Sequence, residues 1–148
     1  IGTSGKRTGY ELTELSRAYY VFTSNGYEVE ITSPEGGEAP MLIDDEDMGT
    51  YDFAFLNDPV AMAKVENTRV PAELDPADYR AIYFVGGKGA MFDFPDDVHL
   101  QDLTASIYAS GGVVAGVCHG PAGLLNVEAP EGGYLLDGRT VKIGRAHV

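Results

Sequence analysis

Apolar residues Leu12, Leu15, Tyr19 and Phe22 recur at intervals of three and four from Glu11 onward, and Asn25-Gly26 supplies a stop, so the pattern predicts a helix. "YEVEIT" (27–32) then alternates and is rich in β-branched residues, which predicts a strand ending in the loop "SPEGGEAP". Residues 44–58, "DDEDMGTYDFAFLND", mix acids with aromatics in no clean period and read as a solvated loop, with a short helix over 59–66. "RAIYFV" (80–85) is a continuous apolar strand of the kind buried on both faces of a parallel sheet, and "GGKGAMFDFP" follows it directly. A helix is predicted over 96–110 with Val98, Leu100, Leu103, Ile107 and Tyr108 as its apolar face. "GVVAGV" (112–117) is a second fully apolar strand, and Pro121 stands where a first-turn proline opens the next helix.

Strands alternating with helices define an α/β domain with a mostly parallel central sheet. At 148 residues and 44% hydrophobic content, the chain holds one core and one domain. The opening "IGTSGKRTG" carries turn residues but no apolar run, so little of any strand ahead of it is present. A formal net charge of −13 argues against a nucleic-acid phosphate backbone or an anionic membrane as partner. No apolar run approaches the ~20 residues of a membrane span, and no basic-then-apolar leader opens the chain. One cysteine permits no internal disulfide, so a cytoplasmic location is expected. The acidic run at 44–47 lacks the alternate spacing and glycine of a calcium loop, and no metal is assigned.

That cysteine carries the candidate chemistry. "Gly116-Val-Cys118-His-Gly120" has the G-x-nucleophile-x-G form of a nucleophile elbow, a tight strand-to-helix turn that presents its central side chain on a strained backbone. A helix opening at Pro121 is expected to lower the pKa of the thiol through its positive end. The backbone N–H groups of His119 and Gly87 converge on a developing oxyanion if the two strands are neighbours, and Gly86 and Gly87 let backbone approach a substrate. A lone cysteine in an apolar stretch is commonly inert core; here the elbow spacing, the histidine and the proline together favour function. "GGKGAMF" is neither a dinucleotide fingerprint, because Phe92 replaces the last glycine, nor a phosphate loop, because Gly89 follows Lys88. No cofactor is expected.

The pieces "TGYELTEL", "GYEVEITSPEGG", "DYRAIYFVGGKGAMFDFPDD", "GGVVAGVCHGPAGLLN" and "YLLDGRTV" together resemble the DJ-1/PfpI superfamily of the class I glutamine-amidotransferase-like fold. Within it they look most like the branch of heat-shock chaperones and glutathione-independent glyoxalases. The resemblance implies a flavodoxin-like three-layer sandwich with Cys118 as nucleophile and His119 as neighbouring base. It also implies that Glu14 points at the thiol, protonated and donating a hydrogen bond to the thiolate. Helical spacing alone sends Glu14 to solvent, since it lies off the Leu12, Leu15, Tyr19 stripe. Lys88 stands where the family usually has a histidine in the glycine loop, which alters any substrate contact made there.

The resemblance further implies a small carbonyl substrate such as methylglyoxal, converted to lactate without glutathione, or a related deglycase activity. A homodimer is implied in the same way. A holdase chaperone indifferent to Cys118 and a sensor that oxidises Cys118 are the alternatives, with peptidase or amidotransferase-like activity behind them. The acid that orients the histidine in this branch falls downstream of "DGRTV". The family pattern stops at Ile143, and "IGRAHV" (143–148) is what a common short-read sequencing adapter encodes. The domain is therefore expected over 1–142 as a fragment truncated at both ends, with 143–148 a non-native tail and His147 no ligand.

Overall fold

A computed structural model describes residues 8–144. The opening turn-rich stretch and most of the adapter-like tail, His147 included, lie outside the described residues. Helix α1 (Leu12–Ser24) follows the predicted stripe and buries Leu12, Leu15 and Tyr19. It closes where expected, with the Asn25 N–H bonded to the carbonyl of Phe22 and Gly26 in the left-handed region at φ 84°. Strand β1 (Tyr10–Glu11) leads into it and pairs in parallel with β2 (Met41–Leu42).

The stretch 44–58 corrects the sequence reading. A helix α2 (Thr50–Leu56) forms there, followed by α3 (Pro59–Glu66), whose N-cap Asp58 accepts from the N–H groups of Val60 and Ala61. The apolar period of α2 was obscured because its buried face is shared by Phe55 and a carboxylate, Asp52, both fully inaccessible, while Tyr51 and Phe53 face solvent. Phe55 packs edge-on against Tyr19, with ring centroids 5.4 Å apart, and joins Leu12, Leu15, Ala61 and Val65 in one apolar cluster. "YEVEIT" is a second correction: among the described residues it makes a single bridge, Thr32 to Arg69, because a strand pattern without a ladder partner stays irregular.

Strand β3 (Ala81–Phe84) and β4 (Val113–Gly116) pair in parallel, with Phe84 opposite Gly116. Between them run a short helix α4 (Ala90–Asp93) and α5 (Val98–Ala109), capped by Asp97, whose side chain accepts from His99 and Leu100 N–H at 3.0 Å. Leu100, Leu103 and Ile107 are buried as predicted, whereas Val98 is exposed at the helix start. Phe84, Leu100, Leu124, Val127 and Leu135 form the second apolar cluster. The strands themselves are less buried than their apolar runs predict: only Phe84 of β3 is buried, and β4 is largely open. The described residues build two separate two-stranded parallel sheets rather than one sheet covered on both faces.

Candidate active site

In-register pairing of β3 with β4 brings the loops at their carboxyl ends side by side, and the Val117 N–H donates to the Phe84 carbonyl at 3.0 Å to extend the pairing into the elbow. The turn closes through Gly120 N–H to the Val117 carbonyl at 2.7 Å. Gly120 has no room for a side chain, since a Cβ would stand 2.7 Å from the Phe84 carbonyl carbon. Cys118 sits at the apex with φ 52°, the one non-glycine residue in the left-handed region among the described residues. Such a conformation persists only where its surroundings enforce it, and it lifts the side chain clear of the strand.

Glu14 reaches the same point from α1. An acid at the third helical position ordinarily bonds back to the N-cap N–H. Here Gly86 stands between: the N–H of the N-cap Glu11 donates to the Gly86 carbonyl at 3.2 Å, and the Gly86 N–H donates to Glu14 Oε2 at 2.8 Å. The start of α1 is thereby fastened to the loop after β3, and the carboxylate is turned from solvent toward the cysteine. A Cβ on Gly86 would lie 2.7 Å from Cys118 Cβ and against the Glu14 carboxylate, so only glycine fits.

Cys118 Sγ lies 3.1 Å from His119 Nδ1, with the backbone N–H groups of Gly87 and His119 near enough to favour the thiolate. Partial burial and the Glu14 carboxylate push the thiol above its ordinary value; the two N–H groups pull the other way and do not prevail. The expected lowering by a helix is overturned, because the segment after the elbow is a five-residue 3₁₀ turn (Gly120–Leu124) with too few aligned peptides to supply the field. The Nε2 edge of His119 faces Gly144, whose N–H donates to the Cys118 carbonyl, and no side chain among the described residues bonds to that nitrogen. The structure thus brings together Cys118, His119, Glu14, Gly86 and Gly87. Lys88 is exposed, its carbonyl accepts from the Met91 N–H at 3.3 Å, and its side chain makes no hydrogen bond or ion pair among the described residues.

Three residues around the start of α1 were not singled out in the sequence. Tyr83 on β3 donates to the Glu14 carbonyl oxygen at 3.3 Å, and burial, with the Glu14 charge beside it, raises the phenol above its ordinary value. Glu11 is raised too, by burial and then by Glu14 and the acids at 44 and 47, and its Oε1 is buried without a partner. Asp52 accepts from Ser16, from the Gly49 N–H at 2.8 Å and from Arg17 at 3.0 Å. The signal for Asp52 was present, a glycine followed three residues later by an acid, as at a helix start. Beside Glu14 a cleft of about 480 Å³ opens, lined by Thr13, Arg17, Phe22, Tyr83 and Val117 among others. Among the described residues no group of three or more His, Cys, Asp or Glu side chains is placed to hold a metal, and no helix of theirs is long and apolar enough to cross a membrane.

A mixed α/β fold with parallel strands and a cysteine raised on a tight turn past a strand end defines the flavodoxin-like class of cysteine-bearing α/β proteins. The chain belongs to the DJ-1/PfpI family, whose model matches residues 6–135. It is 32% identical over 147 residues to Glyoxalase 3 of Candida albicans, covering 94% of this chain and 61% of that protein. It is 35% identical to the glutathione-independent glyoxalase hsp3101 of Schizosaccharomyces pombe, covering 93% of this chain and 59% of that one. Among solved structures it is similar to Rapid Encystment Protein 24 KDa of Francisella tularensis, with a TM-score of 0.81 and 33% identity over 92% of this chain and 61% of that one. It is also similar to glyoxalase III of Candida albicans, with a TM-score of 0.77 and 30% identity over 92% of this chain and 59% of that one. The chain spans about three-fifths of the length of these relatives.

Proposed function

We propose that this site converts small 2-oxoaldehydes, such as methylglyoxal, to 2-hydroxy acids, using Cys118 as nucleophile and neither glutathione nor a cofactor. The observation that carries the reading is the convergence on one sulfur of His119 Nδ1, the Glu14 carboxyl and two backbone N–H groups. The thiol holds its proton at rest, so attack needs an acceptor, and His119 Nδ1 at 3.1 Å is in reach. Sulfur adds to the aldehyde carbon, and the oxyanion that forms accepts from the Gly87 and His119 N–H groups before it is protonated to a hemithioacetal. Glu14 then takes the hydrogen from the former aldehyde carbon as a proton, giving an enediol, and a proton returned to the adjacent carbon leaves a thioester of the 2-hydroxy acid. Water cleaves that thioester, and the sulfur recovers its proton. Glyoxalase is the activity in the names of the relatives, and deglycation of protein side chains would use the same groups.

An oxidation sensor is less favoured, because burial and Glu14 keep Cys118 as the slower-oxidising thiol. A lone free thiol is kept reduced most readily in a reducing compartment, which favours a cytoplasmic site of action. The test is methylglyoxal consumption without glutathione, followed beside Cys118→Ala and Glu14→Gln. Cys118→Ala is expected to abolish turnover and Glu14→Gln to lower it by roughly 10²- to 10⁴-fold. Turnover retained by Cys118→Ala, or none in the folded protein, would sink the reading; holdase activity indifferent to Cys118→Ala would replace it.

A further inference from the structure

Asp52 is the one acidic side chain that is fully buried among the described residues, and the proposed chemistry does not use it. Its Oδ1 accepts from Ser16, and its Oδ2 from the Gly49 N–H at 2.8 Å and from Arg17 at 3.0 Å. Arg17 also meets Asp47 at 3.3 Å. An apolar residue of similar volume would hold α1 against α2 at least as well, since a buried ion pair gains little over good packing. What the carboxylate adds is direction. Two of its donors lie on α1 two and three residues beyond Glu14, and the third is the N-cap of α2.

The rest of that interface is mainly Leu12, Leu15, Tyr19 and Phe55, whose attraction is non-directional and tolerates a turn of the helix about its axis; a further polar contact, from the Tyr20 hydroxyl to Asp58 just past α2, is long at 3.4 Å. Side-chain tips lie roughly 5–6 Å from a helix axis, so a rotation of about 20° carries them about 2 Å. That is enough to break the 2.8 Å contact between Glu14 and the Gly86 N–H. We propose that Asp52 is a positioning residue: through Ser16 and Arg17 it fixes the axial setting of α1 and thereby holds Glu14 against Gly86 and Cys118.

This rests on the reading of Glu14 and Cys118 as a working pair, but its test follows the thiol itself. The titratable groups facing Cys118 are Glu14 from α1 and His119 from its own turn, with Glu11 beside Glu14. The rate of Cys118 alkylation by iodoacetamide is measured across pH for the wild type, Glu14→Gln, Asp52→Asn, Ser16→Ala and the Glu14→Gln/Asp52→Asn double variant. Removing the carboxylate beside sulfur moves the profile of Glu14→Gln to lower pH. Asp52→Asn is expected to move it the same way, Ser16→Ala by less, and the double variant to match Glu14→Gln alone. Profiles of Asp52→Asn and Ser16→Ala that overlay the wild type while the melting temperature falls would reduce Asp52 to a stabilising residue and overturn the proposal. Shifts that add in the double variant would overturn it equally. Ser16→Ala, which removes one hydroxyl and no charge, decides the matter should Asp52→Asn not fold. Absence of methylglyoxal turnover alongside non-additive shifts would end the glyoxalase reading and leave this one standing, whereas an unshifted Glu14→Gln profile would end both.

Discussion

The proton on Cys118 ties the chemistry of the site to the stability of the fold. Its thiol is raised in the folded chain by burial and by the Glu14 carboxylate. A raised acid favours the folded state while it stays protonated, so this contribution is complete below the unfolded thiol value and is lost as pH rises through the folded one. Cys118→Ala is therefore expected to flatten the alkaline limb of a melting-temperature profile and leave the neutral region unchanged; an alkaline limb identical in both proteins would contradict the assigned direction. Gly86 is the second residue on which the site turns. A methyl group there meets the Glu14 carboxylate, Cys118 Cβ and the Val117 carbonyl oxygen together, so Glu14 is displaced and the elbow must shift by a few tenths of an ångström. Gly86→Ala is expected to lower carbonyl turnover on the order of 10²-fold, the scale of one misplaced proton-transfer group, while the chain stays folded by circular dichroism.

Helices α1 and α2 carry the carboxylate to the cysteine, and they differ in how plainly the sequence announces them. Helix α1 was legible because Leu12, Leu15 and Tyr19 carry its buried stripe and the only polar residues buried with them, Thr13 and Ser16, are small, so the three-and-four spacing survives. Helix α2 was not, because Asp52 occupies a buried position while Tyr51 and Phe53 occupy exposed ones, which inverts the usual pattern. The elbow was legible down to its strained residue, since the glycines on either side of x-Cys-His lack the Cβ atoms that would crowd Phe84 and Pro121 in so tight a turn. The sign of the thiol shift was not, because it depends on the length of the following turn and on a carboxylate 104 positions away in sequence, from Glu14 to Cys118. The inverted pattern of α2 is open to test. Phe55→Ala is expected to destabilise the chain by about 3–5 kcal/mol through the cavity it leaves beside Tyr19, and Tyr51→Ala, of similar chemistry four residues earlier, by about 0.5 kcal/mol or less. Chemical denaturation measures both; comparable losses would mean that α2 is turned the other way.

At the scale of the molecule, the two apolar clusters are distinct, one around α1, α2 and α3 and the other around β3, α5 and the turn after the elbow, and the strands are only partly covered. One hydrogen bond, from the Glu11 N–H to the Gly86 carbonyl, links the sheet of β1 and β2 to the sheet of β3 and β4 among the described residues. Continuous apolar runs such as "GVVAGV" state that a strand suits a covered environment, and say nothing about how much of that cover a given chain supplies. Val113 is accordingly 62% exposed at the start of β4. An exposed apolar edge strand is a template for self-association. Val113→Lys is expected to lower the concentration-dependent light scattering of the protein while changing stability by no more than about 0.5 kcal/mol. Net charge cannot produce that result, since one added lysine takes the formal charge from −13 to −12 and weakens mutual repulsion slightly. Reduced scattering would therefore locate the association at the apolar strip. Marked destabilisation would instead mean that Val113 is covered in solution, because a buried, unpaired ammonium costs far more than an exposed one.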